Sequence, residues 1–369
     1  MSGSLNQASI LVMLKENPHD HVLFKARLDE LEEVAKAVGY NVKDRIVQTR
    51  IKPDPKYFIG SGKVDEITEL AEKEGISHLI FWNIISSRQK YDVEAATGMS
   101  VKDRSDLILE LFSQNAHTTE AKLQIELAKM KKLFPYERYK AWVRLQRERP
   151  GFHSSGEYAY HSRVKQLQKT IKNTEGKLED ILRRKRNEIQ NRKEIGKLVT
   201  ITGFYNAGKT TLFNLLTEES KPVSNIPFTT LASKVSQAKG VLITDTIGFV
   251  QDMDDLKELI TSFKPTLEDI RMADLVLCMI DISDDPIILE RKLKEAIKIL
   301  GELEVPPHRI LILLNKIDLL NERDVKEHLE MVRKYGYNFR PISAHTKEGI
   351  EELSHTLEEL GKVTEKVES

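Results

Sequence analysis

The sequence predicts an α/β protein in which an N-terminal α/β domain and a helical hairpin precede a second, doubly wound α/β domain. Three observations carry this. Short apolar, β-branched runs alternate with amphipathic helical stretches at both ends of the chain. Between residues 119 and 193, two long runs repeat apolar residues at spacings alternating near three and four. Finally, GFYNAGKTTL (203–212) sets a glycine-bounded loop between a strand-like run, KLVTIT, and a helix-like one, TTLFNLLT.

The 369 residues exceed one ordinary core, so two or three domains are expected. Charged residues at 31% and apolar ones at 40% fit a soluble globular protein. No run reaches the ~18 apolar residues of a membrane span. The first residues also lack a basic stretch followed by an apolar one, so a cytoplasmic monomer is expected. The one cysteine, Cys278 in LVLCMID, excludes an intrachain disulfide and reads as a buried strand residue rather than a nucleophile. A net charge of zero hides an asymmetry: residues 117–195 carry 20 Lys/Arg against 10 Asp/Glu, and both flanks are mildly acidic.

In chain order, residues 1–115 open with a strand (ILVML), a helix (ARLDELEEVAKAVGY) and a second strand (VKDRIVQTRI). A proline-marked loop then leads to a helix, followed by the buried strand SHLIFWN, a polar stretch and DRSDLILELFSQNA. This alternation suggests a small, largely parallel sheet. Gly60-Ser61-Gly62-Lys63 invites comparison with a phosphate loop, but Val64 stands where a hydroxyl belongs, and a glycine turn before a helix explains it better. His19-Asp20-His21 follows Asn17-Pro18 in a turn with no further ligand cluster, so a solvated loop is expected there.

Residues 116–195 form the hairpin. Leu123, Leu127, Met130 and Phe134 mark one apolar seam; Val164, Leu167, Ile171, Leu178 and Ile181 mark the other; RPGFHSSGE joins them. Clusters at Arg144, Arg147 and Arg149, and at Arg183, Arg184, Lys185 and Arg186, lie near Tyr136, Tyr139 and Trp142. An excess of about ten positive charges on an extended rod suits a phosphate backbone, which makes RNA the expected partner. Glu157 and His161 could share a metal, but two ligands without a third are weak.

Residues 196–361 carry the chemistry, with 362–369 as a tail. In Gly-x-x-x-x-Gly-Lys-Thr, the backbone N–H groups from Gly203 through Asn206, Ala207, Gly208 and Thr211 converge on polyphosphate oxygens. Lys209 reaches the terminal phosphates, and the Thr210 hydroxyl can hold Mg²⁺. Asp245 ends the strand in GVLITDTIGFV and can join the Mg²⁺ shell; Gly248 can donate its N–H to a γ-phosphate. Asn315-Lys316-Ile317-Asp318 closes the strand ILILLN. The Asp318 carboxylate can accept from two N–H groups on one edge of guanine, where adenine has no matching donors, so GTP is selected over ATP. Ser343-Ala344 would approach the guanine oxygen through main-chain N–H. A Ras-like doubly wound fold with the ligand at the carboxyl ends of the strands is expected.

Together these residues resemble the HflX family of GTPases, in the Obg-like branch of translation-associated GTPases. YFIGSGKVDEI and DRSDLILELF resemble the family's N-terminal domain and TTEAKLQIELA its helix signature, while PFTTL and DTIGF resemble its two switch segments. The loop GFHSSGE is shorter than the glycine-rich motif of bacterial members and is similar to archaeal ones. The resemblance implies that Thr230 closes over Mg²⁺ and the γ-phosphate. It also implies that GTP hydrolysis is coupled to binding the large ribosomal subunit, in subunit splitting or rescue. A GTP-regulated protein that binds or remodels structured RNA is the alternative.

Catalysis is assigned to Lys209, Thr230 and Gly248. The residue after Gly248, where Ras-like enzymes place a water-orienting glutamine, is Phe249, and residues 218–240 contain no arginine. Slow intrinsic turnover, accelerated by a partner, is therefore expected. Asn206 occupies the position that holds asparagine in K⁺-activated GTPases, which implies K⁺ as a second cofactor; a local backbone hydrogen bond is the other reading.

Overall fold

The computed structural model describes residues 7–147, 155–218, 234–246, 248–249 and 262–365. Contacts divide the chain into two compact units, Met1–Gln114 with Lys122–Lys177, and Asn115–Ala121 with Leu178–Ser369.

In the first unit, β1 (Gln7–Lys15), β2 (Tyr40–Thr49), β3 (His78–Phe81) and β4 (Ser100–Asp103) form a parallel sheet in the order β2-β1-β3-β4. Burial of every β1 residue from Ser9 to Lys15 explains its unbroken apolar run, as for any strand covered on both faces. The connecting helices are α1 (Leu23–Val38), α2 (Ser61–Glu74), α3 (Ser87–Thr97) and α4 (Arg104–Asn115). Gly39 ends α1 in the left-handed conformation, so Tyr40 begins β2 instead of closing the helix as expected. Gly60 is the N-cap of α2, and Lys63 pairs with Glu66 on the same helix. Asp20 accepts the Leu23 N–H at 3.0 Å and lies 3.7 Å from Arg27, so it serves the start of α1. Among the described residues, no group of three or more His, Cys, Asp or Glu is arranged to hold a metal.

Two elements replace the expected polar stretch. Only Val93 of α3 is fully buried, so the helix has no apolar stripe to read. Its signal is a capping box: the Ser86 hydroxyl accepts from the Gln89 N–H, and the Gln89 side chain accepts from the Ser86 N–H. Strand β4 has only four residues, two of them Lys102 and Asp103, and is a strand because β3 pairs with it.

The hairpin consists of α5 (Thr119–Arg147), with Pro135 inside it, and the 41-residue α6 (Ser155–Ile195). Ion pairs Lys131–Glu175 at 2.8 Å and Glu137–Arg163 at 3.6 Å link the two in antiparallel sense. Leu127, Met130 and Leu178 of the expected seam are buried, and Leu123, Phe134, Val164, Leu167, Ile171 and Ile181 are half-buried. Within the first unit α5 also docks by polar contacts: Lys132 with the buried Asp103, and the Tyr136 hydroxyl donating to Glu94. Glu157 and His161 fall outside the residues whose side chains are described, as do Arg147, Arg149 and the loop around GFHSSGE.

The second unit contains β5 (Leu198–Gly203), α7 (Lys209–Thr217), β6 (Lys234–Ala238), β7 (Val241–Asp245), α8 (Lys264–Arg271), β8 (Leu275–Asp281), α9 (Pro286–Glu302), β9 (Ile310–Asn315), α10 (Glu322–Arg333), β10 (Asn338–Pro341) and α11 (Ile350–Glu365). Its sheet runs β10-β9-β8-β5-β7-β6, parallel except for β6, which pairs antiparallel with β7. This is the doubly wound arrangement, with helical connections and a switch in strand order beside β5. Val199, Ile201, Leu212, Phe213, Ile243, Leu277, Leu313, Leu353 and Leu357 belong to one apolar core. Helix α11 continues to Glu365, into the stretch 362–369 expected as a tail. Cys278 is fully buried in β8, where burial pushes its thiol up to about 12 and leaves it protonated.

The basic cluster on α6 divides in two. Arg183 and Arg184 are exposed. Lys185 instead pairs with the fully buried Asp269 of α8 at 2.8 Å, and the Arg186 guanidinium donates to Glu268 at 2.7 Å. Two of the four charges expected to face RNA are thus neutralised inside the second unit. The carboxylates responsible lie more than 80 residues along the chain.

Candidate nucleotide site

All the predicted site residues that are described gather at the carboxyl edge of the second sheet. Strand β5 ends at Gly203 with φ 135°, and a Cβ added there would stand 2.1 Å from the Met279 carbonyl oxygen of β8. Gly208 has φ 93°, and its Cβ would stand 2.3 Å from Asn315 Nδ2. Both positions therefore require glycine for two reasons, a conformation that L-residues avoid and the close approach of a neighbouring strand. Between them Asn206, exposed and itself left-handed at φ 58°, turns the chain, and Ala207 is buried. Helix α7 begins at Lys209, so the N–H groups of Lys209, Thr210 and Thr211 lie in its first turn, where helical partners are lacking.

Lys209 folds back over the loop and donates from Nζ to the Phe204 carbonyl at 2.7 Å. Burial pushes its ammonium down to about 8, against the opposing pull of Asp245. A Cβ on Gly248 would stand 2.7 Å from Nζ, so a side chain there would displace the lysine. Asp245, fully buried, ends β7 in register with Ile201 of β5. The segment after it is fastened to β5. Thr246 donates its hydroxyl to the Ile201 carbonyl at 2.9 Å, and the Phe249 N–H donates to the Gly203 carbonyl at 2.8 Å. Phe249 is fully buried, its ring edge-on to Phe204 at 5.9 Å.

The donors suit a hard divalent cation: a hydroxyl at Thr210 and a buried carboxylate at Asp245, beside Gly203, Gly208 and Gly248, where an added Cβ would strike Met279, Asn315 and Lys209. Thr230 lies outside the described residues.

On the base side Asn315, buried at the end of β9, spans two loops. Its Nδ2 donates to the Ala207 carbonyl at 2.8 Å, and its Oδ1 accepts from the Ala344 N–H at 2.9 Å. The Ser343 hydroxyl donates to Asp318 Oδ1 at 2.6 Å and accepts from the Thr346 N–H at 3.0 Å. Lys316, left-handed at φ 72°, places Nζ 2.6 Å from Asp281 Oδ2. The sequence reading missed Asp281, which ends β8 opposite Asn315 and also accepts the Ser283 N–H and hydroxyl. Its signal is an aspartate closing the apolar run LVLCMID, the same position on its strand that Asp245 occupies. Asn315 is expected only as a member of the guanine-binding motif, in which Asp318 reads the base. Its side chain also braces the phosphate loop against Ala344, which spacing alone does not reveal.

Family profiles match the chain in three consecutive stretches. They are described as GTP-binding GTPase N-terminal (25–113), GTP-binding GTPase middle region (115–192) and 50S ribosome-binding GTPase (198–316). The GTPase HflX of Thermofilum pendens is 37% identical over 365 residues, spanning 98% of this chain and 85% of that protein. Those of Methanocaldococcus jannaschii and Escherichia coli are 34% and 31% identical, spanning 91% and 90% of this chain and 82% and 78% of theirs. Among solved structures, that of SsGBP with GDP matches in fold with a TM-score of 0.53 at 24% identity, over 96% of this chain and 98% of that one. A GTP-binding protein of Sulfolobus solfataricus with GDP does so with a TM-score of 0.50 at 23% identity, over 96% and 99%. With relatives above 30% identity along nearly the whole chain, and profiles covering all three of its regions, this chain belongs to the HflX family of GTPases.

Proposed function

We propose that this GTPase hydrolyses GTP slowly by itself and is accelerated on the large ribosomal subunit, where the cycle serves to split subunits or rescue them. The observation carrying this reading is Phe249. A fully buried phenyl ring occupies the place where a water-orienting side chain would be needed, so the missing group comes from the partner. The profile match over residues 198–316 and the basic excess on α5 and α6 support a ribosomal partner.

The P-loop amides from Gly203 to Thr211 cradle the phosphates, and Lys209 leaves the Phe204 carbonyl to meet them. Asn315, Lys316, Asp318, Ser343 and Ala344 receive the guanine. Thr210, Asp245 and Thr230 would hold Mg²⁺, which when bound would neutralise charge on the phosphates. Gly248 gives its N–H to the γ-phosphate, and its lack of a side chain leaves room for the Lys209 ammonium beside it. Asn206, exposed at the rim of the loop, is the K⁺ ligand if potassium activates; equal rates in KCl and NaCl at matched ionic strength would remove that role.

The test is steady-state GTP hydrolysis by the protein alone, with purified large subunits, and with an equal mass of protein-free ribosomal RNA. Strong stimulation by subunits alone is expected. Equal stimulation by bare RNA would favour an RNA-remodelling protein, and a high rate for the isolated protein would overturn the mechanism.

A further inference from the structure

Lys316 is held at both ends. At the main chain it sits in the turn that follows β9, left-handed at φ 72°, and its carbonyl accepts the Leu319 N–H at 3.1 Å. At the tip, Nζ lies 2.6 Å from Asp281 Oδ2, at the end of the neighbouring strand β8. A lysine on a turn with no partner samples many rotamers, and fixing one of them costs free energy. Here a carboxylate fixes the side chain before any ligand arrives.

Asp281 is the rigid member of the pair. It stands in register with Asn315, and the Ile282 N–H donates to the Asn315 carbonyl at 2.9 Å. The Ile282 carbonyl in turn lies 2.9 Å from His328 Nδ1 of α10. The two carboxylate oxygens of Asp281 have separate duties. Oδ1 accepts the Ser283 N–H at 3.0 Å and the Ser283 hydroxyl at 2.6 Å, which shapes the turn leaving β8. Oδ2 takes the Lys316 ammonium. Lys292 of α9 pairs with Asp284 at 2.6 Å and so leaves Asp281 to Lys316.

Between these fixed ends runs a stem of four methylenes, two residues before the Asp318 carboxylate assigned to the base edge. The side chain is 24% exposed, so the stem is neither covered by the fold nor loose in solvent. A fixed strip of hydrocarbon beside an edge-reading carboxylate suits the flat face of a base. Building on the guanine-binding reading above, we propose that Asp281 is a positioning residue of the guanine site: it anchors the Lys316 ammonium so that the lysine stem lies where a face of the base rests.

The test measures binding of GDP, and of inorganic tripolyphosphate, which has no base, to the full chain. Asp281→Asn keeps an acceptor for Ser283 and removes the charge facing Lys316. GDP should bind roughly five-fold more weakly, within the roughly two- to 12-fold cost of immobilising one long side chain, while tripolyphosphate binds as before. In a Lys316→Met background, which keeps an apolar stem without its ammonium, Asp281→Asn should change GDP affinity no further. Ser283→Ala, which disturbs only the turn, should leave GDP affinity as it is. Unchanged GDP affinity in Asp281→Asn, equal losses for both ligands, a full effect beside Lys316→Met, or an equal loss in Ser283→Ala overturns the role. If Asp281→Asn does not fold, reductive methylation of the unsubstituted, nucleotide-free chain reads the same grip. Lys316 should then react more slowly than the exposed Lys326, and reaction at an equal rate overturns it. Failure of the unsubstituted chain to bind GDP would instead defeat the reading of the site itself.

Discussion

Binding of guanine nucleotide should draw a proton from solution, and the amount should rise with pH. Lys209 is the cause. With its ammonium pushed down to about 8, the free protein carries this proton on about nine-tenths of molecules at pH 7, half at pH 8 and a tenth at pH 9. A polyphosphate within reach favours the charged form and restores an ordinary lysine value near about 10.4 or above. The predicted uptake is therefore about 0.1 proton at pH 7, about 0.5 at pH 8 and close to about 0.9 at pH 9. The sign is distinctive, because the nucleotide phosphates are fully ionised above pH 8 and release nothing that could mask it. Calorimetric titration of GDP in two buffers of different ionisation enthalpy gives the number directly. Lys209→Arg, charged throughout this range, should lose this uptake at pH 8, where the guanine N–H recognised by Asp318 is still protonated in the free nucleotide. An uptake near zero at pH 8.5, or one that falls as pH rises, would refute the buried, depressed lysine. The same shift bears on folding. The group's folded value lies below its unfolded one, so it opposes folding at neutral pH, and the nucleotide-free protein gains stability from it as pH climbs from about 8 to about 10.4.

Three further predictions concern packing and charge. Asn315→Ala leaves the Ala207 carbonyl and the Ala344 N–H without their partner, at about 1–3 kcal/mol for each buried group. GDP affinity measured with a fluorescent analogue should fall by at least tenfold, and wild-type binding would remove the bracing role. Gly203→Ala drives a methyl into the Met279 backbone at an unfavourable φ, so a loss of about 3 kcal/mol or more is expected in urea unfolding; an unchanged midpoint would contradict the close approach. Lys185→Met removes the ammonium paired with the buried Asp269 carboxylate and should cost about 3–5 kcal/mol. Arg183→Ala with Arg184→Ala should stay within about 0.5 kcal/mol per site yet lower the salt dependence of RNA binding by about two phosphate contacts. If the two substitutions behave alike, the division of the basic cluster fails.

What could be read from the chain follows the range over which its signals act. Strand ends bearing Gly203, Asp245 and Asn315 were legible because fully buried parallel strands write continuous apolar runs, and the chemistry stands at their ends. Helix α3 escaped because it buries one valine, although its capping box was there to be found at Ser86 and Gln89. Strands β4 and β6 escaped because pairing rather than composition makes them strands. The fate of Lys185 and Arg186 could not be read locally, since a cationic run looks the same whether its partner is solvent, RNA or a carboxylate 80-odd residues away. Asn315 shows the same limit inside the site. Its motif announced a guanine site, but its grip on a loop 108 positions earlier exists only in three dimensions.

That grip also has a consequence in time. The brace closes only when Ala207, Asn315 and Ala344 coexist, and Ala344 is the last of the three to be made. At ordinary translation speeds of about 5–20 residues per second, the stretch from the end of α6 to Ala344 takes roughly 7 to 30 s to emerge. For that interval a newborn chain carries its basic hairpin before the nucleotide site can be completed.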